Sequence, residues 1–395
     1  MRDGKSGRWQ GREVVIVEAA RTPIGRGHPQ KGQFKDVHAN QLLGTAFKAV
    51  IERAGIDPSL VENVSAGAVS QIGEQSNNIA RNAWLQAGLP LETAATTLDT
   101  QCASGQLAVT YAAGLIAAGV HDVMIGGGVE HMGRVPMYSN VAEGQGLGTP
   151  WPEPLMERYD LTPQGLSAES IAKRWEVTRA EQDELAVRSH QRAARAAEDG
   201  RFDREIVPLA VDGELIATDQ GIRPDSNLEV LAGLKPAFTE EGTITAGNAS
   251  QISDGAAAVL LMTREKAEEL GLTPRALIVD AAMVGVDPVT MLTGPIPATR
   301  KLLERNGMTV DDLDLIEVNE AFASVVGAWR KELEPDMDRV NVNGGAIALG
   351  HPLGGSGARL ITTLLHELER SDGETGLVTM CTGGGIGTGT LIRRV

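Results

Sequence analysis

The chain is predicted to be an α/β protein built from two similar halves, and three observations carry that expectation. Segments recur at a spacing of 252 residues. Each recurring segment alternates a helix-periodic stretch with a short apolar, strand-like one. The 47 glycines gather in short runs beside those apolar stretches, which is the pattern of tight turns at strand ends.

Taken along the chain, Lys48-Ala49-Val50-Ile51-Glu52-Arg53-Ala54-Gly55 reads as the end of a helix closed by a glycine C-cap, with an acidic stretch and an apolar strand after it. Ser104-Gly105 opens a second helical pattern through Leu107, Tyr111, Leu115 and Ile116. Val123 to Ile125 is a strand running into Gly126-Gly127-Gly128. Met132 to Pro163 is loop-like, with Pro136, Pro150, Pro152 and Pro154, and one charged amphipathic helix is expected over about 167–199, carrying Leu185 and Val187 on its apolar face. The earlier pattern then returns. Lys301 to Gly307 repeats the capped helix, Leu313 to Val318 is a strand, and Ser356-Gly357 opens a helix through Leu360, Leu364, Leu365 and Leu368. Leu377 to Met380 is a strand ahead of Gly383-Gly384-Gly385. In-register matches over some 80 residues imply a duplicated βα unit, with the halves face to face about a pseudo-twofold axis. The expected division is 1–131 (completed by about 253–274), an insertion 132–252 without counterpart, and 275–395. An insertion of that length is a substrate-binding or assembly subdomain rather than an idle loop.

Bulk properties narrow the function classes. A chain of 395 residues exceeds one hydrophobic core, so at least two domains are expected. A formal charge of −16 argues against sequence-independent nucleic-acid binding, and a phosphate-bearing ligand would need a local cationic exception. Met1 to Gln10 is polar, and no apolar run reaches about 18 residues, so neither a signal peptide nor a membrane span is expected. Two cysteines give no disulfide framework, and the expectation is cytoplasmic.

Both cysteines sit in backbone stripped of bulk. Cys102 lies in Gln101-Cys102-Ala103-Ser104-Gly105 at a helix start, where the positive end of the macrodipole is expected to lower its pKa. Cys381 precedes Gly383-Gly384-Gly385, so one sulfur for acylation and one for proton transfer is the expected division. His351, in a loop dense with glycine between Gly350 and Pro352, occupies the place in the second half that mirrors the approach to Cys102, and imidazole is suited to taking a thiol proton. Asn319 ends the strand Leu313 to Val318 and can hold a water or donate to an oxyanion, although on this residue alone a turn-forming asparagine is the better explanation. Asp254-Gly255 shares that ambiguity. Neither metal-ligand spacing nor a Walker loop is present, and Gly126-Gly127-Gly128 lacks the dinucleotide-binding spacing.

Together these motifs resemble those of the thiolases, acyltransferases that cleave or form 3-oxoacyl-CoA. The likeness runs from about Val14 to Val395 through Gln101 to Gly105, Gly247-Asn248-Ala249-Ser250, Asn319-Glu320-Ala321-Phe322, Gly344 to Gly357 around His351, and Cys381 before its glycines. The resemblance implies a five-layered αβαβα thiolase fold with an inserted loop domain and a homodimer or homotetramer. It implies Cys102 as the acylated nucleophile, His351 as its base, Cys381 as the acid/base at the α-carbon, and Asn319 as the holder of a water in an oxyanion hole that His351 completes. The backbone N–H groups of Cys102 and Gly383 would form a second hole. Coenzyme A, a substrate and not a cofactor, would meet Arg223, Lys235, Phe238, Ala246, Ser250, Met291, Ala321 and Phe322. Pro163-Gln164-Gly165 stands where thiolases specialised for acetoacetyl-CoA typically carry His-Met-Gly, so a longer or bulkier acyl chain in fatty-acid or sterol side-chain β-oxidation is expected. The segments Gln71 to Asn78 and Glu334 to Val340 look like actinobacterial thiolases acting on steroid side chains. Acetoacetyl-CoA chemistry is the alternative. A ketoacyl synthase usually pairs its cysteine with two histidines, or with a histidine and an asparagine, and lacks a cysteine like Cys381. A non-catalytic acyl-CoA or lipid carrier is the reading from a different class.

Overall fold

The computed structural model describes residues 12–141 and 146–395, so the polar start Met1 to Gln10 lies outside the described residues. Its strands are β1 (Val14–Arg21), β2 (Gly25–Arg26), β3 (Asn63–Gly67), β4 (Ala94–Leu98), β5 (Val123–His131), β6 (Leu209–Val211), β7 (Glu214–Ile216), β8 (Ser253–Thr263), β9 (Ala276–Gly285), β10 (Leu315–Val318), β11 (Thr375–Thr382) and β12 (Ile386–Arg394). The helices are α1 (Ala39–Ala54), α2 (Ile79–Gln86), α3 (Ser104–Ala117), α4 (Glu153–Arg158), α5 (Gln164–Arg174), α6 (Arg179–Glu198), α7 (Leu228–Ala232), α8 (Arg264–Glu269), α9 (Pro295–Asn306), α10 (Ala323–Leu333), α11 (Ala346–Leu349) and α12 (Leu353–Ser371).

The first half orders its strands β4-β3-β5-β8-β1 and the second β9-β12-β11-β10. Their edges join where Val15 pairs with Leu277 and Ile16 with Ala276. Side-chain alternation along each strand then builds five layers. Val15 and Val17 of β1, with Leu260 and Met262 of β8, face Leu42, Phe47 and Trp84 of the outer helices α1 and α2. The intervening Val14, Ile16, Val259 and Leu261 face a central layer made of Val109 and Ile116 of α3 and Leu360, Ile361 and Leu364 of α12. That layer is closed from the other side by Ile278, Val378, Met380 and Ile392. Leu302 of α9 and Val326 and Trp329 of α10 cover the far face of the second sheet, against Ile316, Leu377 and Leu391. Strands covered on both faces read as continuous apolar runs, which is why β8 is buried along its whole length.

The duplication is present in the backbone. β3 and β10 start 252 residues apart, as do β5 and β11. Gly55 and Gly307 both cap in the left-handed conformation, at φ 69° and 63°. Four details differ from the sequence expectation. The segment 167–199 is two helices, not one: Glu176 turns left-handed at φ 53°, and Thr178 and Glu181 form a capping box that starts α6. Gly126-Gly127-Gly128 does not end a strand but lies inside β5, because a Cβ on Gly126 would stand 2.5 Å from the Cα of Val109 and one on Gly128 would stand 2.0 Å from the carbonyl oxygen of Gly354. The helix of the second half begins at Leu353, three residues before Ser356. Asn319 follows a strand that starts at Leu315 rather than Leu313.

Candidate active site

The two central helices bring the functional segments together. A Cβ on Gly105 at the start of α3 would lie 2.6 Å from the carbonyl oxygen of Gly354, and one on Gly357 would lie 2.2 Å from the amide of Gln106. The first turns of α3 and α12 therefore cross in near-backbone contact, and this packing is what glycine makes room for here. Each first turn carries a chemically active residue just ahead of it.

Cys102 sits on a strand-to-helix elbow. Gln101, immediately before it, is held at φ 51°, a strained position for a residue with a Cβ. The elbow is pinned by Ser104, whose hydroxyl accepts from the Thr100 N–H at 2.8 Å and donates to the Gln101 carbonyl at 2.6 Å. The thiol packs with Val69, Met132 and Leu353, the last two residues past His351, so the loop from the second half reaches the Cys102 elbow of the first. Burial pushes the Cys102 thiol up to about 11, against the downward pull of the Gly383 N–H and of its own N–H. The expected acidic thiol is therefore corrected: at this buried elbow desolvation outweighs the helix terminus. Glu130 adds to the upward push. It is buried beneath the site, and the N–H groups of Val69, Ser70 and Gly354 and the side chain of Gln75 all donate to it.

The hydrogen bonds around His351 define its tautomer. Ser356 gives its proton to the Pro352 carbonyl at 2.8 Å, so its oxygen is left to accept from His351 Nδ1, 2.6 Å away. A proton on Nδ1 leaves the lone pair on Nε2, which faces the Asn319 amide nitrogen at 3.3 Å. The main chain is anchored across the halves by the His351 N–H donating to Ser253 Oγ at 3.0 Å. Burial, and after it the charge of Arg359, push the imidazole down to about 3, so it stands neutral and ready to accept. Asn319 donates its own N–H to Thr379 of β11 at 3.0 Å.

Cys381 is fully buried, paired across the β11–β12 hairpin with Gly387. Its thiol is pushed well above the usual range by burial and then by the nearby Cys102. The hairpin turn uses Gly384 and Gly385 at φ 78° and 79°. Met291, Ala321 and Phe322 pack in the cluster that holds Cys381. Phe238 meets Phe322 edge to face at 6.1 Å, and the Ser250 N–H donates to the Ala321 carbonyl at 2.9 Å. Ala246 follows Thr245, which pairs with Pro236 beside Lys235. Arg223 and Lys235 are exposed at the outside of this assembly, Arg223 with its N–H on His190 Nδ1 at 3.2 Å. Asp254 lies elsewhere in role, in an ion pair with His131 at 3.2 Å. Sequence reasoning missed Ser356, Glu130 and Arg359. Ser356 had a legible signal, a hydroxyl one helical turn past the histidine loop. The other two become neighbours of the site through tertiary packing.

Two family models divide the chain: the thiolase N-terminal domain matches residues 14–265 and the thiolase C-terminal domain matches residues 272–394. Among curated relatives, the steroid 3-ketoacyl-CoA thiolase FadA6 of Mycobacterium tuberculosis is 43% identical over 97% of this chain and 94% of its own length. The beta-ketoadipyl-CoA thiolase of Pseudomonas aeruginosa is 46% identical over 97% of this chain and 100% of its own. A crystal structure of the Bacillus anthracis acetyl-CoA acetyltransferase superposes with a TM-score of 0.89 at 41% identity, covering 97% of this chain and 99% of that one.

Proposed function

The chain belongs to the thiolase family, and from that premise we propose the roles its residues take. The activity itself is acyl transfer between 3-oxoacyl-CoA and coenzyme A, by cleavage or condensation, with coenzyme A as substrate and no additional cofactor. In the cleavage direction the Cys102 thiol gives its proton to His351 Nε2 as the sulfur bonds to the 3-keto carbon. The bond between carbons 2 and 3 then breaks, and the departing enolate of acetyl-CoA (or propionyl-CoA) takes a proton from Cys381. Coenzyme A attacks the acyl-Cys102, its thiol proton goes to Cys381, and the imidazolium returns its proton to the Cys102 sulfur. The steps form a ping-pong cycle that restores every group. A neutral thiol beside a neutral imidazole is the resting state that such a cycle needs, with charge created only when the substrate arrives.

One observation carries the assignment of Cys102: just ahead of α3 it packs against Leu353, two residues past His351, where its own N–H and that of Gly383 lower the thiol pKa against burial. Donors so placed stabilise negative charge developing at the thiolate and at the tetrahedral oxygen beside it. Asn319, which faces His351 Nε2, is assigned to a water in an oxyanion hole that His351 completes. Phe238, Ala246, Ser250, Met291, Ala321 and Phe322 are assigned to coenzyme A, with Arg223 and Lys235 supplying positive charge at the exposed end.

The acyl group is proposed to be longer or bulkier than acetoacetyl, in fatty-acid or sterol side-chain β-oxidation. What supports this is the Pro163-Gln164-Gly165 segment, which stands where thiolases specialised for acetoacetyl-CoA typically carry His-Met-Gly. Making or cleaving acetoacetyl-CoA is the second reading, favoured by the structural neighbour's activity. The division into 1–131 with about 253–274, an inserted 132–252, and 275–395 is proposed on the place of β8 between β1 and β5. A homodimer or homotetramer in the cytoplasm is proposed; among the described residues no helix is long and apolar enough to cross a membrane. Thiolysis followed by loss of 3-oxoacyl-CoA absorbance, compared across acetoacetyl-CoA, a medium-to-long linear series and a steroid side-chain 3-oxoacyl-CoA, tests the reading. Fastest turnover of acetoacetyl-CoA would reverse the substrate proposal, and no turnover of any would favour a carrier.

A further inference from the structure

Arg359 projects from α12 and is 1% exposed. Among the described residues, none of its guanidinium nitrogens has a hydrogen-bond acceptor. A buried arginine cannot shed its charge and ordinarily engages a carboxylate through two parallel hydrogen bonds. Here the approach of Glu317 Oε2 to Nη1 stops at 3.6 Å, and that oxygen is itself without a donor. The other nearby carboxylates are committed. Glu205 accepts from Arg21 and Thr363, Glu320 from Ser189, Asn341 and the Ile347 N–H, and Glu367 from Asn343 and Arg370. An under-paired buried cation invites a functional account.

Its position supplies one. Glu317 and Asn319 are two residues apart where β10 ends, and Asn319 Oδ1 is a further buried acceptor without a donor. The amide of that same Asn319 meets His351 Nε2 at 3.3 Å. We propose that Arg359 is a positioning residue for acyl transfer, a fixed buried cation three residues along α12 from the Ser356 that holds His351, and set against Glu317 two residues before Asn319, so that it opposes positive charge on the imidazole. This rests on the reading of His351 as the base for Cys102. The groups around His351 are Ser356 of α12, Asn319 after β10, Ser253 of β8 and the Arg359 charge. Behind Arg359 stand Glu317, Glu320, Glu205 and Arg21. A second buried imidazole gives the contrast. His131 faces the carboxylate of Asp254 instead of a cation and is shifted in the opposite direction.

The test is the pH dependence of Cys102 acylation by acyl-CoA, measured by rapid quench and mass. In Arg359→Met the acid limb is expected to rise by one pH unit or more, so that acylation on that limb falls about tenfold at fixed pH. Arg359→Lys keeps the charge and is expected to return the profile toward that of the parent. Equal profiles in all three proteins, or the same displacement in the Lys and Met variants, would overturn the proposal. If Arg359→Met does not fold, Arg359→Gln takes its place. An acid limb raised in the Gln variant and not in the Lys variant supports the proposal, and a limb unmoved in both, or moved equally in both, overturns it. His351→Ala separates the two ideas: parent-like acylation there removes the base assignment itself, whatever Arg359 does.

Discussion

Removing one hydroxyl, Ser356→Ala, tests the construction of the site around His351. Ser356 Oγ is fully buried, commits its proton to Pro352 at 2.8 Å, and accepts from His351 Nδ1 at 2.6 Å. Alanine fits the same volume, so the backbone of α12 is expected to hold. The loss is that of a partner for a buried N–H, about 1–3 kcal/mol, together with the preference for the tautomer that leaves Nε2 free. If this is felt in the transition state for acylation, the rate falls about 5- to 150-fold. Rapid-quench mass spectrometry of acyl-Cys102 formation measures it, with thermal unfolding as the control for fold. Acylation within twofold of the parent, in a folded variant, would refute the tautomer argument and the role drawn from it.

Other expected outcomes follow from the same geometry. Alkylation of Cys102 by iodoacetamide in the free enzyme should be slow at neutral pH and climb steeply toward pH 11, since burial raises the thiol; a plateau reached by pH 8 would contradict this. Gly128→Ala should destabilise by at least about 3 kcal/mol in urea unfolding, because its Cβ would stand 2.0 Å from one backbone oxygen and 2.9 Å from another; a change under about 1 kcal/mol would show that α12 can move away. The His131 imidazolium is penalised by burial, but the carboxylate of Asp254, 3.2 Å away, prevails and raises its pKa. Its stabilisation is therefore complete below the unfolded value near 6.5 and is lost as pH rises through the higher folded value. A His131→Asn variant should lack that decline, and an unchanged pH–stability curve would remove the pair from the account.

How much was legible beforehand can be traced residue by residue. The duplication, the capped helices and the order of Cys102, Asn319, His351 and Cys381 were readable because they rest on local chemistry: glycine caps, apolar period and small-residue turns. The glycine run in β5 was misread because its cause is distant. Nothing near Gly128 in sequence announces the carbonyl of Gly354 that forbids a side chain there. The acidity of Cys102 was misjudged for a similar reason. A helix start is visible in sequence, whereas the burial created by Val69, Met132 and Leu353 is a property of the assembled halves. The break at Glu176 lay within reach, since Thr178 and Glu181 spell a capping box inside the stretch read as one helix. Arg359 was beyond reach, because an arginine in a helix says nothing about its acceptors until the layers close over it.

The central claim is a division of labour between two sulfurs, and one measurement bears on it most directly. Parent, Cys102→Ala and Cys381→Ala proteins are incubated with acyl-CoA and the acyl group is located by peptide mass. The expected result is an adduct on Cys102 in the parent and in Cys381→Ala, none in Cys102→Ala, and condensation and thiolysis lost in both variants. An adduct on Cys381, turnover above a few per cent in Cys102→Ala, or equal loss of acylation in both variants would contradict it.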